Sequence, residues 1–207
     1  MSYWDHRRPV RRERAVDVEA VARASVELLD AGGIRSLTVR AVAARLGVAP
    51  ASLYSRLESV DDLFDLALDR ALGDDEHVQR GMRETGIHDL MLAFYRHLLR
   101  HPWACQIISL RAPRGPSYLR LSERMCHLLT EAGAPDPLST SYALSNYVIG
   151  SATTAPVRDD ERARPVDPSV APLYAQLHAE HVADAEQVVA GGLAALLRHD
   201  FAAGPGG

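Results

Sequence analysis

Thr38, Arg40, Pro50, Ala51, Ser52, Tyr54, Ser55 and Arg56 put hydroxyls, guanidinium groups and small side chains into one short run of chain. Those types hydrogen-bond phosphate oxygens and reach base edges in a DNA major groove. Bond-making chemistry has less material. Gly115-Pro116-Ser117 lacks the strand-to-helix elbow of a serine nucleophile, no glycine-rich phosphate loop occurs, and Cys105 and Cys126 sit at apolar positions of helical patterns. No catalytic residue is assigned. His178 and His181, three apart on one helical face, have no further ligand at fixed spacing, so neither a metal nor a cofactor is assigned.

For the first group to reach a groove, two short helices must cross at a tight turn. Thr38 starts one that carries Val39, Val42, Ala43 and Leu46 and breaks at Gly47; Ala49-Pro50 starts another that runs to Tyr54 or Arg56. Ala43 lets the two approach, and Val48 and Leu53 plug the angle behind them, which is a helix-turn-helix pattern. A helix capped by Asp17 precedes it and stops at Gly32-Gly33. Ser59 and Asp62 form a capping-box start for the helix that follows, striped with Val60, Leu63, Phe64, Ala67, Leu68, Ala71 and Leu72.

Three- and four-residue periodicity continues to the end of the chain, predicting an all-α protein. Helices are expected over 87–101, 103–111, 116–132, 137–154, 170–181 and 184–199, with a polar loop over 73–86. The segment 156–172, with four prolines and seven charged residues, reads as an exposed connection. The expected organisation is an arginine-rich arm (1–16), a three-helix helix-turn-helix unit (17–58), a linker helix (59–73), a C-terminal helical bundle (74–201) and a disordered tail (202–207).

All 23 basic residues are arginine, and the net charge is −4, which excludes a uniformly basic nucleic-acid coat. The charge is uneven: residues 1–60 hold ten arginines against seven carboxylates, and the remainder thirteen against twenty. Two cysteines, no secretory signature and no long apolar run point to a soluble, cytoplasmic chain without a membrane partner.

Over Val18 to Leu72 the chain resembles the TetR family of bacterial one-component transcriptional repressors. Leu37-Thr38, Arg40, Val42-Ala43, Leu46-Gly47-Val48 and Leu53-Tyr54 match its pattern position by position. Arg100-His101-Pro102-Trp103, the 116–133 helix and Tyr142 to Gly150 look like the effector domain of the tetracycline-repressor branch. The resemblance implies a homodimer on near-palindromic double-stranded operator DNA, released by a small-molecule effector. Met91, Tyr95, Trp103, Ile107, Arg111, Tyr118, Leu121, Met125, Tyr142, Asn146, Ile149 and Thr153 provide apolar walls with a few polar groups, as a drug-sized cavity needs. The family's four-helix dimer interface would involve Leu138, Tyr142, Ala185, Val188, Val189, Gly192 and Leu196, with small residues allowing close approach.

The chain departs from the family after the tyrosine. A lysine that holds a DNA phosphate is replaced by Val60, and Asp61 and Asp62 add negative charge beside it. Arg56 could compensate in part, and Arg7, Arg8, Arg11, Arg12 and Arg14 are expected to form an arm reaching an adjoining minor groove. Two other readings follow from the departure: a helical small-molecule-binding protein that no longer reads DNA, and a helical enzyme using the C-terminal cavity.

Overall fold

The computed structural model describes residues 2–6, 16–162, 164–180 and 184–202. The arm residues Arg7, Arg8, Arg11, Arg12 and Arg14, together with His181 and the final tail, lie outside the described residues.

Among the described residues the secondary structure is entirely helical. Helix α1 spans Tyr3–His6 and α2 Val18–Gly32. Asp17 caps α2 by accepting from the Glu19 N–H at 3.0 Å. Gly33, at φ 66°, turns the chain into a short 3-10 turn, Ile34–Ser36. In α3 (Val39–Leu46) the Thr38 hydroxyl accepts from the Ala41 N–H. Left-handed Gly47 ends it, sending its own N–H to the Ala44 carbonyl and that of Val48 to Ala43. Helix α4 follows, Pro50–Leu53, packed on α3, and its Leu53 is fully buried.

Helix α5 (Val60–Asp74) has the capping box of Ser59 and Asp62 and runs between two bodies of helices, packing on α2 at one side and α9 at the other. The polar stretch expected as a loop instead contains α6 (Glu76–Glu84). Asp75 caps α6 through the His77 and Val78 N–H groups, and only Val78 and Gly81 are buried, so the apolar signal in the sequence is thin. A Cβ on Gly81 would meet Leu90 at 3.2 Å, so glycine there lets α6 and α7 (Ile87–Arg100) lie close.

Helices α8 (Pro102–Leu110) and α9 (Pro116–Glu131) follow, each with proline in its first turn. Helix α10 runs Pro137–Arg162, eight residues beyond the expected end, with Pro156 inside it. Proline forfeits one backbone hydrogen bond but does not end this helix, so the exposed connection is shorter than composition suggests. Helix α11 is Pro172–Glu180 and α12 is Ala185–Ala202. Helix α7 packs on α10, α12, α6, α8 and α9 at the centre of the C-terminal body.

Candidate nucleic-acid and effector sites

Thr38, Arg40, Pro50, Ala51, Ser52, Tyr54 and Ser55 are all exposed, and Arg56 is half-buried. The structure brings them onto the outer side of the α3–α4 corner, because Val42, Ala43 and Leu53 take the inner side. The Ser55 hydroxyl donates to the Ser52 carbonyl at 2.7 Å, holding the turn after α4. Arg45, in contrast, pairs with Glu27 of α2.

The carboxylates that begin α5 do not project as free charges. Asp62 is 2% exposed and accepts the Glu58 N–H at 2.6 Å and the His6 ring at 3.0 Å. Asp65, equally hidden, accepts the Ser2 hydroxyl and the Tyr3 N–H, both at 2.8 Å. Asp61 receives Arg111, which also reaches Asp65 at 3.6 Å. Asp69 completes the series, buried against the start of α9. Asp62, Asp65 and Asp69 recur at the i, i+3, i+7 spacing of one helical face, so α5 carries a buried carboxylate stripe beside its apolar one.

The N-terminal segment was read as a basic arm, yet its first part is a short helix engaged on α5. Tyr3 is buried, with Trp4 and His6 edge-on to its ring. Two adjacent aromatic residues in a polar tail were the available signal.

The effector candidates divide into two groups. Met91, Tyr95, Trp103, Ile107, Tyr118, Leu121 and Met125 are buried together within α7, α8 and α9. The Trp103 indole N–H is already committed to Asp30 of α2 at 2.6 Å, next to His101 on the same oxygen. Ile149 is half-buried, while Tyr142, Asn146 and Thr153 are exposed on α10. Arg111, expected as a polar wall, instead donates to the Asp61 carbonyl at 2.9 Å and to its carboxylate, because the chain leaves α8 toward the start of α5.

His97 was missed. It lies on the α7 stripe with Leu90 and Phe94, is wholly buried, and its Nδ1 lies 2.9 Å from Asp75. Burial alone would raise the Asp75 carboxyl, but hydrogen bonds from His97, Arg100 and the Val78 N–H hold it well below the usual carboxylate range. Burial likewise depresses His97, despite the Asp75 bond, so the imidazole is neutral near pH 7. A separate cleft of about 520 Å³ lies between α2 and the junction of α5, α6 and α7, lined by Arg23, Glu27, Arg70, Asp74, Arg100 and His101 among others.

Of the interface candidates, Leu138, Tyr142 and Val188 are exposed, and Ala185 and Leu196 are half-buried. Val189 is fully buried inside its own subunit. Gly192 faces Tyr147 of the same chain so closely that a Cβ would collide with the phenol, whose hydroxyl donates to the Val188 carbonyl. Its close approach is therefore between α10 and α12 within one chain.

Residues 21–67 match the model for bacterial regulatory proteins of the tetR family, and residues 77–188 match the tetracyclin repressor-like C-terminal domain. An HTH-type transcriptional regulator of Saccharopolyspora erythraea is 39% identical over 143 residues, covering 67% of this chain and 61% of that protein. The HTH-type transcriptional repressor DrrR1 of Streptomyces coeruleorubidus is 33% identical over 165 residues, covering 72% and 58%. The chain thus spans about three fifths of the length of these curated relatives. Among solved structures, the regulator SCO7222 of Streptomyces coelicolor superposes with a TM-score of 0.74 at 23% identity, covering 90% of this chain and 98% of that one. ActR of the same organism, in complex with actinorhodin, gives 0.73 at 22%, covering 92% and 99%. These last two likenesses are of fold. With a helix-turn-helix corner at one end, a helical bundle at the other and a family match to each, the chain belongs to the tetR family of bacterial regulatory proteins.

Proposed function

We propose that this chain is a cytoplasmic transcriptional repressor that binds a near-palindromic operator as a homodimer and leaves it when a small molecule occupies the C-terminal bundle. The observation that carries the reading is the α3–α4 surface: Thr38, Arg40 and Pro50 to Ser55 are exposed, while the neighbouring carboxylates of α5 are buried or paired. The negative charge that argued against DNA is buried at Asp62 and paired with Arg111 at exposed Asp61, which weakens the motive for a bundle that no longer reads DNA.

Exposed Leu138, Tyr142 and Val188 on α10 and α12 support pairing through that face. Pairing would set two α4 helices about 34–36 Å apart, one turn of DNA. An effector must favour a conformer with another spacing, since equal affinity for both states shifts nothing. Buried Met91, Tyr95, Tyr118 and Met125 supply the apolar interior for it, and the fold it shares with actinorhodin-bound ActR supports the placement. Among the described residues no helix is long and apolar enough to cross a membrane.

Selection from random DNA tests the reading. An enriched inverted repeat, bound by two chains and weakened steeply by salt, is expected; no enriched sequence would overturn it.

A further inference from the structure

Helices α6 and α9 both pack on α5 and α7, and a groove of about 410 Å³ runs between them. Gln79, Met82 and Arg83 supply its α6 side. Arg120, Arg124 and His127 recur along the α9 side at the i, i+4, i+7 spacing of one helical face. None of the buried side chains Met91, Tyr95, Tyr118 and Met125 lines it, so the groove is separate from the bundle interior assigned to the effector above. Its size is that of a small-molecule site.

The charge of the groove runs against its surroundings. Residues 61–207 hold more carboxylates than arginines, and Arg70, Arg96, Arg100 and Arg111 each meet at least one of them. Among the described residues Arg83, Arg120 and Arg124 meet none at ion-pair distance. Arg120 gives a hydrogen bond to the Ser117 hydroxyl at 3.1 Å and feels the buried charge of Asp69 beyond it. The Nε of Arg124 is enclosed and has no partner, a rare condition for a buried N–H and one that an acceptor relieves. Glu123 alone of the lining residues is acidic, and it lies 3.2 Å from His127. Three guanidinium groups against that one carboxylate leave a surplus of positive charge suited to a dianion, and guanidinium forks match phosphate oxygens in pairs.

We propose that this groove is a second binding site, for a phosphate monoester with an apolar body. The dianionic head sits among Arg83, Arg120 and Arg124, and the body lies along Met82 and the alkyl stems of the arginines. A cation of the same shape is repelled. Occupancy braces α5 from two directions. The Gln79 amide donates to the Leu72 carbonyl near the end of α5 at 3.0 Å, and Arg120 meets Ser117, which in turn donates to Asp69 in the middle of α5. A ligand shared by α6 and α9 fixes those two attachments relative to each other.

The test is calorimetric titration of the full chain with octyl phosphate below its micelle concentration, beside octanol, inorganic phosphate and octyltrimethylammonium. Octyl phosphate should bind about tenfold or more tightly than octanol or phosphate alone, the gain expected of hydrogen bonds between charged groups. It should also raise the melting temperature, and the ammonium should not bind. These comparisons on the wild-type chain need no variant to fold. Arg120→Gln and Arg124→Gln should each weaken octyl phosphate about tenfold. Arg80→Gln, the same charge change on α6 outside the groove, should cost about twofold at most, because exposed charges are screened. Equal binding of octyl phosphate and octanol, or equal losses in all three variants, would overturn the site. Octyl phosphate that binds wild type and both groove variants alike belongs to the bundle interior and overturns it too. Binding seen only with phosphatidate in phosphatidylcholine vesicles would replace the soluble ligand by a membrane surface.

Discussion

Ser117 gives Asp69 both its backbone N–H, at 2.6 Å, and its hydroxyl, at 3.2 Å, so a carboxylate on α5 caps the first turn of α9. No side chain within α9 does this, because Gly115 occupies the cap position. Its missing side chain is what lets Asp69 approach: a Cβ there would overlap the carboxylate. Gly115→Ala should cost about 2 kcal/mol or more, since neither backbone nor buried carboxylate can yield cheaply. A thermal melt unchanged from wild type would refute the cap.

On the DNA face, Arg40→Ala and Arg56→Ala are expected to weaken every operator sequence alike and to lower the log–log salt slope by about one each, the mark of a lost phosphate contact. Ser52→Ala should instead alter sequence preference. Filter-binding titrations over a range of salt separate the two behaviours.

Acid should weaken the fold through His97. Burial depresses its folded pKa, so below its ordinary value of about 6.5 the unfolded chain takes a proton that the folded ring refuses. Its stabilising contribution is therefore complete above that value and is lost as pH falls toward the folded pKa. Asp75, held low in the folded state, adds a second loss below about pH 4. Asp69 acts oppositely: burial raises it, against the hydrogen bonds from Ser117 and Tyr118, so its penalty is relieved as pH drops through the raised value. Denaturant melts across this range should slope less in His97→Asn than in wild type; equal slopes would exclude His97 as the source.

Two substitutions on neighbouring helices should fail differently. Leu138→Arg, at an exposed position of α10, should halve the sedimenting mass while leaving the subunit folded. Gly192→Ala, against Tyr147 of the same chain, should lower the melting temperature at any protein concentration. A stable monomer from Gly192→Ala would reverse the assignment of that glycine.

Removing residues 1–6 withdraws His6 from Asp62 and Ser2 and Tyr3 from Asp65. The two carboxylates would then face water near the DNA-reading corner. Both lower stability and a weaker operator complex at low salt are expected, the second recovering in Asp65→Asn. Unchanged operator affinity would show that the N-terminal helix does not shield the acidic start of α5.

The helix-turn-helix was legible because its determinants are local. Thr38 and Ser59 cap the helices that directly follow them, and Gly47 makes its turn with Ala43 and Ala44. The carboxylate stripe of α5 was not legible, because Ser2, Arg111 and Ser117 come to it from about 50 or 60 residues away. Without those donors Asp61 and Asp62 read as surface charge opposed to DNA. Helix α6 was hidden for a similar reason, its start depending on Asp75, which His97 and Arg100 hold in place from the next helix. His97 itself kept the α7 period, but a histidine among leucines does not betray the acid behind it.

The attachments along α5 also set how it can move. Asp62 and Asp65 fasten one end of the rod to α1, Asp69 fastens its middle to α9, and Asp75 fastens its far end to α7. A rod held at several stations has no free pivot: tilting it shears at least one joint, and each joint is a short, direction-sensitive bond to a carboxylate that is itself buried. Intermediate angles thus carry broken joints with no water to replace them, and only arrangements that re-form the whole set are cheap. The helix should therefore click between discrete settings rather than swing through a continuum, which would make the response to an effector a threshold in each molecule.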